Sequence, residues 1–381
     1  MTLVMTLAML LIAACIGTEG RSRPVTPPQP VVTEPVKTAQ PEAAQGITTS
    51  KFTAIPPEAE IIGSANFDNS KTAGGNAARE LYVIDSSGGH ITQITHGGDI
   101  YNHFAVSPNR KMIAGIRLAG DTNGSGSIDA FDKKTMWILD LENGKEWPLL
   151  PEWDTGWGGV DWSPDGRFIY FSVFRDKVSD IYRISYDGRD LQNITAGIEL
   201  DLPFDAGPAK GPKWVSDTGV SPDGEWIVFL YTRIGVDKNV IAVCRTDGSQ
   251  SRRVTDGGPL KAGKYGPWGA GDFDPEFSPD GTHIVFERVT AVATNFAEVP
   301  SGDIMTVKTD GTELKRLSPA GNTSTHGIAD WSPDNRIVFS DWNKRDIYAG
   351  PAIVNAGGSG FHRLENARGL TWVRWIPPLV K

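Results

Sequence analysis

The stretch DTNGSGSIDAFD, Asp121 to Asp132, carries oxygen-bearing side chains at the spacing of a calcium-binding loop. Counted from Asp121, the expected ligands are Asn123, Ser125, the carbonyl of Ser127, Asp129 and Asp132. Gly126 stands where such a loop turns sharply, and Ile128 supplies its apolar anchor. A hard cation that takes six to eight oxygens on a tightly wound backbone needs this kind of pattern. Ser125 replaces a usual carboxylate and Asp132 is one methylene shorter than the usual Glu, which places the expected dissociation constant on the order of 0.1 to 1 mM. The flanks, KMIAGIRLAG and KKTMWILDLENG, alternate as β-strands do, so a hairpin must hold the loop's ends and the ion is expected to be structural. Without an ion the same residues would form a solvated hairpin loop rich in Asx and Ser.

A second set of residues, His103, Asp217, Asp272, Asp274 and His326, is dispersed along the chain but related by position within a repeat. Converging imidazoles and carboxylates would permit metal binding or general acid-base chemistry. Trp157 and Trp268 fall in Gly- and Pro-rich loops together with Trp153, Phe204, Trp214, Tyr265 and Phe273. Such aromatics either fill gaps in a core or form platforms for a sugar ring or a partner's side chains.

What brings these residues together is a repeat. The pieces FAVSPNRKMIAGIR, VDWSPDGRFIYFSV, TGVSPDGEWIVFLY, PEFSPDGTHIVFER and ADWSPDNRIVFSDW share one template, with Ser107, Ser163, Ser221, Ser278 and Ser332 at intervals of 54 to 58 residues. Each reads as strand, Ser-Pro-Asp-Gly type turn, strand. A second strand pair with an Asp-Gly or Asn-Gly turn accompanies each, in six copies from ELYVIDSSGGHITQIT to AIVNAGGSGFHRLE. The missing sixth inner strand is LTWVRWIPP at the C-terminus, where Trp375 aligns with Trp331. The expectation is an all-β, six-bladed β-propeller of four-stranded blades whose first blade is closed by the C-terminal strand. The residue before each serine, from Val106 to Trp375, belongs to the core between blades. Four residues before it stand His103, Gly159, Asp217, Asp274, Ile328 and Trp372, and six before it Tyr101, Trp157, Asp272 and His326. The longer loops all fall on the face where these inner strands begin.

These motifs resemble the propeller half of TolB and the wider family of Ser-Pro-Asp-Gly propeller repeats, over about Lys51 to Lys381. The resemblance implies the fold; propellers host many unrelated activities. TolB carries a folded α/β domain ahead of its propeller, whereas a Pro-rich stretch stands there in this chain, so TolB's envelope partners do not transfer wholesale. Oligogalacturonate lyases are also propellers and use a histidine-bound metal; two of the six histidines here, His103 and His326, fall near the channel mouth, at inequivalent positions.

A net charge of -9 without Lys/Arg clusters argues against a nucleic-acid partner. The first residues, MTLVMTLAMLLIAAC, read as a signal peptide over 1–14, and Ile12-Ala13-Ala14-Cys15 resembles the lipobox of bacterial lipoproteins, with Cys15 lipidated. A Pro/Thr-rich tether over 15–50 then precedes a propeller over 51–381. Cys244, in the apolar run NVIAVC, is expected to be a buried, inert thiol. No Gly-x-Ser-x-Gly elbow is present.

Together these readings predict an extracytoplasmic, membrane-anchored lipoprotein, periplasmic or at the cell surface, touching membrane only through its anchor. Its calcium-stabilised propeller would bind a protein, peptide or glycan through His103, Trp157, Asp217, Trp268, Asp272, Asp274 and His326. The alternatives are a metal-dependent polysaccharide lyase or hydrolase at the channel mouth, and a scaffold subunit of an envelope complex.

Overall fold

The structure is a computed structural model that describes residues 48–49, 51–67, 79–96, 102–118, 122–124, 126, 132–150, 155, 158–175, 177–202, 211–234, 236, 238–258, 270–291, 301–319, 324–343 and 348–378. Among these, the only helix is one 3-10 turn, Glu365–Ala367. The regular structure is otherwise β-strand, almost all of it antiparallel, and the reason lies in the repeated turn. In the second copy Ser163 Oγ donates to Asp165, accepts from Phe168 N at 2.9 Å, and Asp165 in turn accepts Arg167 N at 3.0 Å. The same bonds recur around Ser221 with Asp223 and around Ser278 with Asp280. Gly166, at φ +69°, closes the turn where a side chain would be strained.

Each turn ends an innermost strand. In chain order these are Asn102–Val106, Val160–Trp162, Lys213–Val220, Ala270–Phe277, Ser324–Trp331 and Thr371–Trp375, the first to sixth inner strands. Successive inner strands contact one another in a circle, and the sixth returns to the first. The sixth, from the C-terminus, pairs with Ile61–Ala65 from the N-terminal part, which closes the ring as expected. The fold is an all-β propeller.

One expectation needs correction. Six separate four-stranded blades do not form: the described strands hydrogen-bond into five sheets, three of four strands, one of five and one of eight. The eight-stranded sheet arises because Lys238 and Asn239 pair in parallel with Ala270 and Gly271 of the fourth inner strand. Gly271, at φ +102°, permits this; a Cβ there would lie 2.3 Å from the Asn239 carbonyl. The fifth strand of the other sheet is Thr48–Thr49, paired with Lys145 and Glu146.

The core is divided into six apolar clusters, each shared by two successive repeats. One joins Ile62, Leu81 and Val83 to Phe104, Ile113 and Trp137; another joins Ile61, Tyr82 and Ile84 to Val338 and Ile353 across the closure. Val106, Trp162, Val220, Phe277, Trp331 and Trp375 are all buried in this material, as their register predicts. Cys244 is buried too, and burial pushes its thiol up to about 12, so it stays protonated.

Candidate functional site at the channel mouth

The inner strands are not regular. In the first, third, fourth, fifth and sixth the pairing register shifts at the residue four before the turn serine or its equivalent. Four residues there adopt positive φ without being glycine: His103 at 49°, Asp217 at 53°, Asp274 at 49° and Trp372 at 56°. A bulge of this kind bends the strand and re-aims the side chain. Left-handed backbone is tolerable for Asp and His but is an outlier for Trp, and each such position costs on the order of 1–3 kcal/mol. The outcome is that His103, Asp217, Asp274 and Trp372 line one narrow cavity of about 50 Å³ at the channel mouth. In the second repeat Gly159 takes this place; a Cβ on it would lie 2.5 Å from Thr218 N, so its lack of a side chain lets the third inner strand approach.

Two residues further along lies a second layer: Ala105, Asp161, Gly219, Glu276, Asp330 and Arg374. Arg374 Nη2 stands 2.7 Å from Glu276 Oε2 and 3.8 Å from Asp161, its Nε lies 3.9 Å from Asp330, and Nη1 donates to the Val160 carbonyl at 2.8 Å. Gly219 makes room, since a Cβ there would meet the Glu276 carboxylate at 2.7 Å. Asp161 also accepts Val220 N at 2.8 Å and Asp330 accepts Trp375 N at 2.7 Å, so the carboxylates staple inner strands to their neighbours. This network forms the floor of the cavity.

Burial dominates the electrostatics. It raises Glu276 well above the ordinary carboxylate range, helped by Asp161 and opposed by Arg374, and it pushes Asp330 up to about 6. Burial works against the charge on Arg374, but the three carboxylates outweigh it and the guanidinium is held charged. In the upper layer burial, reinforced by the charge of Asp274, raises Asp217 well above its usual range. Burial and then Arg374 lower His103 to about 4, so the imidazole is neutral near neutral pH. Its ring meets Trp372 edge-on at 5.0 Å. Thr218, 3% exposed, also lines the cavity, and its hydroxyl has no hydrogen-bond partner among the described residues.

Of the expected site residues, the structure thus joins His103, Asp217 and Asp274. Asp272 is a correction: it is fully buried and gripped by Arg288, with Nε to Oδ1 at 2.7 Å and Nη2 to Oδ2 at 2.9 Å. The bulge between Phe273 and Glu276 reverses the strand's alternation, so the residue six before the serine faces the sheet interior rather than the channel. His326 lies in the fifth inner strand opposite Asp341. Its side chain, like Trp157 and Trp268, is outside the described residues. So are Asp121, Ser125, Ser127, Asp129 and Cys15. Gly126 adopts φ +84°. Asn123 is exposed, whereas Asp132 is fully buried and its Oδ1 accepts Thr122 N at 2.7 Å and Asn123 N at 3.0 Å. Trp214 packs on the half-exposed Phe174, ring centroids 5.1 Å apart. Sequence reasoning missed the second channel layer and Thr218, although strand periodicity counted two residues back from the serine would have found the layer.

Among the described residues no group of three or more His, Cys, Asp or Glu is placed to hold a metal ion. The mouth offers a carboxylate pair, a buried hydroxyl, a neutral imidazole and an indole, above a charged guanidinium balanced by its own carboxylates.

The comparisons with known proteins agree with the architecture. No protein-family model matches the chain. An uncharacterized protein of Agrobacterium fabrum is 29% identical over 259 residues, 66% of this chain and 78% of that protein. Dipeptidyl-peptidase 5 of Porphyromonas gingivalis is 27% identical over 119 residues, 31% of this chain but only 16% of the peptidase. Among solved structures, TolB from Acinetobacter baumannii superposes with a TM-score of 0.58 at 16% identity, over 85% of this chain and 68% of TolB. A chain of a nidogen/laminin complex gives 0.54 at 11% identity, over 84% of this chain and all of that one. At such identities the likeness shows a shared TolB-like propeller fold.

Proposed function

We propose that this chain is an extracytoplasmic binding module that receives part of a protein, peptide or glycan at the mouth of its propeller channel. The observation that carries the reading is the ring of strained bulges: four non-glycine residues at positive φ, on four inner strands, deliver His103, Asp217, Asp274 and Trp372 to one cavity. Strain of that kind persists where the surrounding fold is built to impose it, and it concentrates at functional sites. An apolar N-terminal run ending at Cys15, together with a TolB-like fold, supports export and lipid anchoring. Calcium in the 121–132 loop would order one edge of the binding face. The floor favours binding over turnover, since Arg374 and its three carboxylates satisfy one another.

The test is to immobilise the anchored protein and offer it envelope extract, a peptide library and a glycan panel. Saturable binding without turnover, lost on Asp217→Asn and Trp372→Ala, is the expected result. Turnover of a polysaccharide that a chelator abolishes would overturn it in favour of a metal-dependent lyase or hydrolase.

A further inference from the structure

We propose that the cavity at the channel mouth is a receptor for a single primary ammonium group, the side chain of a lysine on a bound peptide or protein. This rests on the binding-module reading and names the chemistry of its ligand. Size comes first. Pockets that enclose a whole small molecule run to about 300–1,000 Å³. A cavity of about 50 Å³ has room for one functional group of a larger ligand.

Polarity comes next. The cavity is lined by Asp217 and Asp274 above Glu276 and Arg374; the guanidinium's charge is already balanced by Asp161, Glu276 and Asp330, and His103 contributes no positive charge. The upper layer holds two of those carboxylates on adjacent inner strands, where they repel each other. An ammonium placed between them would relieve that repulsion. It carries three N–H donors, and the mouth offers three acceptor groups: the Asp217 carboxylate, the Asp274 carboxylate and the Thr218 hydroxyl. The Thr218 oxygen matters most to the assignment. A buried hydroxyl with no partner among the described residues is uncommon, and it stands on the strand residue next to Asp217. The indole of Trp372, held at positive φ, adds an aromatic face of the type that attracts cations. A bare metal ion would need a cluster of at least three ligating side chains, and the described residues form none. A lysine provides its ammonium on a slender apolar stem that can reach into a small cavity.

The experiment uses the full chain and calorimetry with three terminally blocked tripeptides: Gly-Lys-Gly, its norleucine analogue, and its Nε-acetyl-lysine analogue. The lysine peptide should bind saturably while the other two give no heat. Asp217→Asn and Asp274→Asn should each weaken binding about tenfold, and Thr218→Val should weaken it less, in keeping with charged against neutral hydrogen bonds. Thermal midpoints of the variants confirm that they fold, and Asn accepts positive φ. Equal binding of the norleucine peptide would overturn the ammonium assignment while leaving a peptide-binding module. Tighter binding of a glucosamine oligosaccharide than of the lysine peptide would also overturn it and would assign the face to glycan. Unchanged affinity in the doubly substituted protein, or no heat from any tripeptide, would overturn it as well.

Discussion

Arg374 and Glu276 meet inside the channel with Nη2 2.7 Å from Oε2, although they stand on the sixth and fourth inner strands with the fifth between them. The same guanidinium donates to Val160 on the second inner strand. A residue near the C-terminus thereby ties together strands from half the ring. Asp161 and Asp330 complete the cluster, and their backbone bonds to Val220 and Trp375 carry the connection outward.

Replacing Arg374 with Met should therefore destabilise the protein by roughly 3–5 kcal/mol, because three mostly buried carboxylates lose their counter-charge. Adding Glu276→Gln should restore part of the loss, since one of the orphaned charges is then removed. Urea midpoints of the single and double variants measure this; a double variant no better than Arg374→Met would show that the pair is not coupled.

Asp217→Asn should stabilise the fold above neutrality. The folded carboxyl titrates well above its unfolded value, through burial and the nearby Asp274. Its charged form is thus disfavoured in the native state, and the penalty exists above the folded pKa and fades as pH falls through it. The variant should melt higher than the parent at about pH 8 and converge with it at about pH 4. A gain that is the same at both pH values would point to hydrogen bonding rather than charge.

Much of this architecture was legible in the sequence, and for definite reasons. The Ser-Pro-Asp-Gly turns stand out because the residues in them are not interchangeable. Ser163 and Asp165 close a hydrogen-bonded loop, and Gly166 occupies positive φ. The closure by Thr371–Trp375 followed from matching Trp375 to Trp331. His103, Asp217 and Asp274 could be placed at the mouth because they share one register position. Asp272 was misplaced because a bulge changes which face a residue presents; Pro275 in DFDPEF marks an irregularity there but not which side chains it turns away from the channel. The fusion of two repeats into one sheet was likewise hidden, since it depends on Gly271 approaching Asn239 from a distant part of the chain.

His103→Asn should alter the acid limb of stability. Burial and Arg374 hold the folded imidazole at about 4, below its ordinary value of about 6.5. Between those values the unfolded chain takes up a proton that the native site refuses, so His103 contributes a loss of stability as pH falls from about 6.5 toward 4. Asp330, raised to about 6, acts in the opposite sense over part of the same window. Removing the imidazole should leave the Asp330 effect uncompensated. The difference in stability between variant and parent should move in the variant's favour by on the order of 1–2 kcal/mol between about pH 7 and pH 5. Denaturant titrations at the two pH values test it, and a constant difference would place the histidine's titration outside this window.

Asp132 separates two roles that the 121–132 loop can play. Its Oδ1 accepts from Thr122 N, Asn123 N and the Thr122 hydroxyl while fully buried. Asp132→Ala should therefore cost about 1–3 kcal/mol even in chelator, because it orphans backbone donors. Asp121→Asn should cost little in chelator but should abolish the response to calcium. With a dissociation constant on the order of 0.1 to 1 mM, about 10 mM calcium stabilises the native state by about 1.4–2.7 kcal/mol. Thermal melts with calcium and with chelator distinguish the cases. If calcium raises the midpoint of the parent but not of Asp121→Asn, the loop holds the ion and Asp132 braces it from beneath. If calcium leaves the parent unmoved while Asp132→Ala still melts early, the loop is a brace made of protein alone, and the binding face owes its shape to hydrogen bonds.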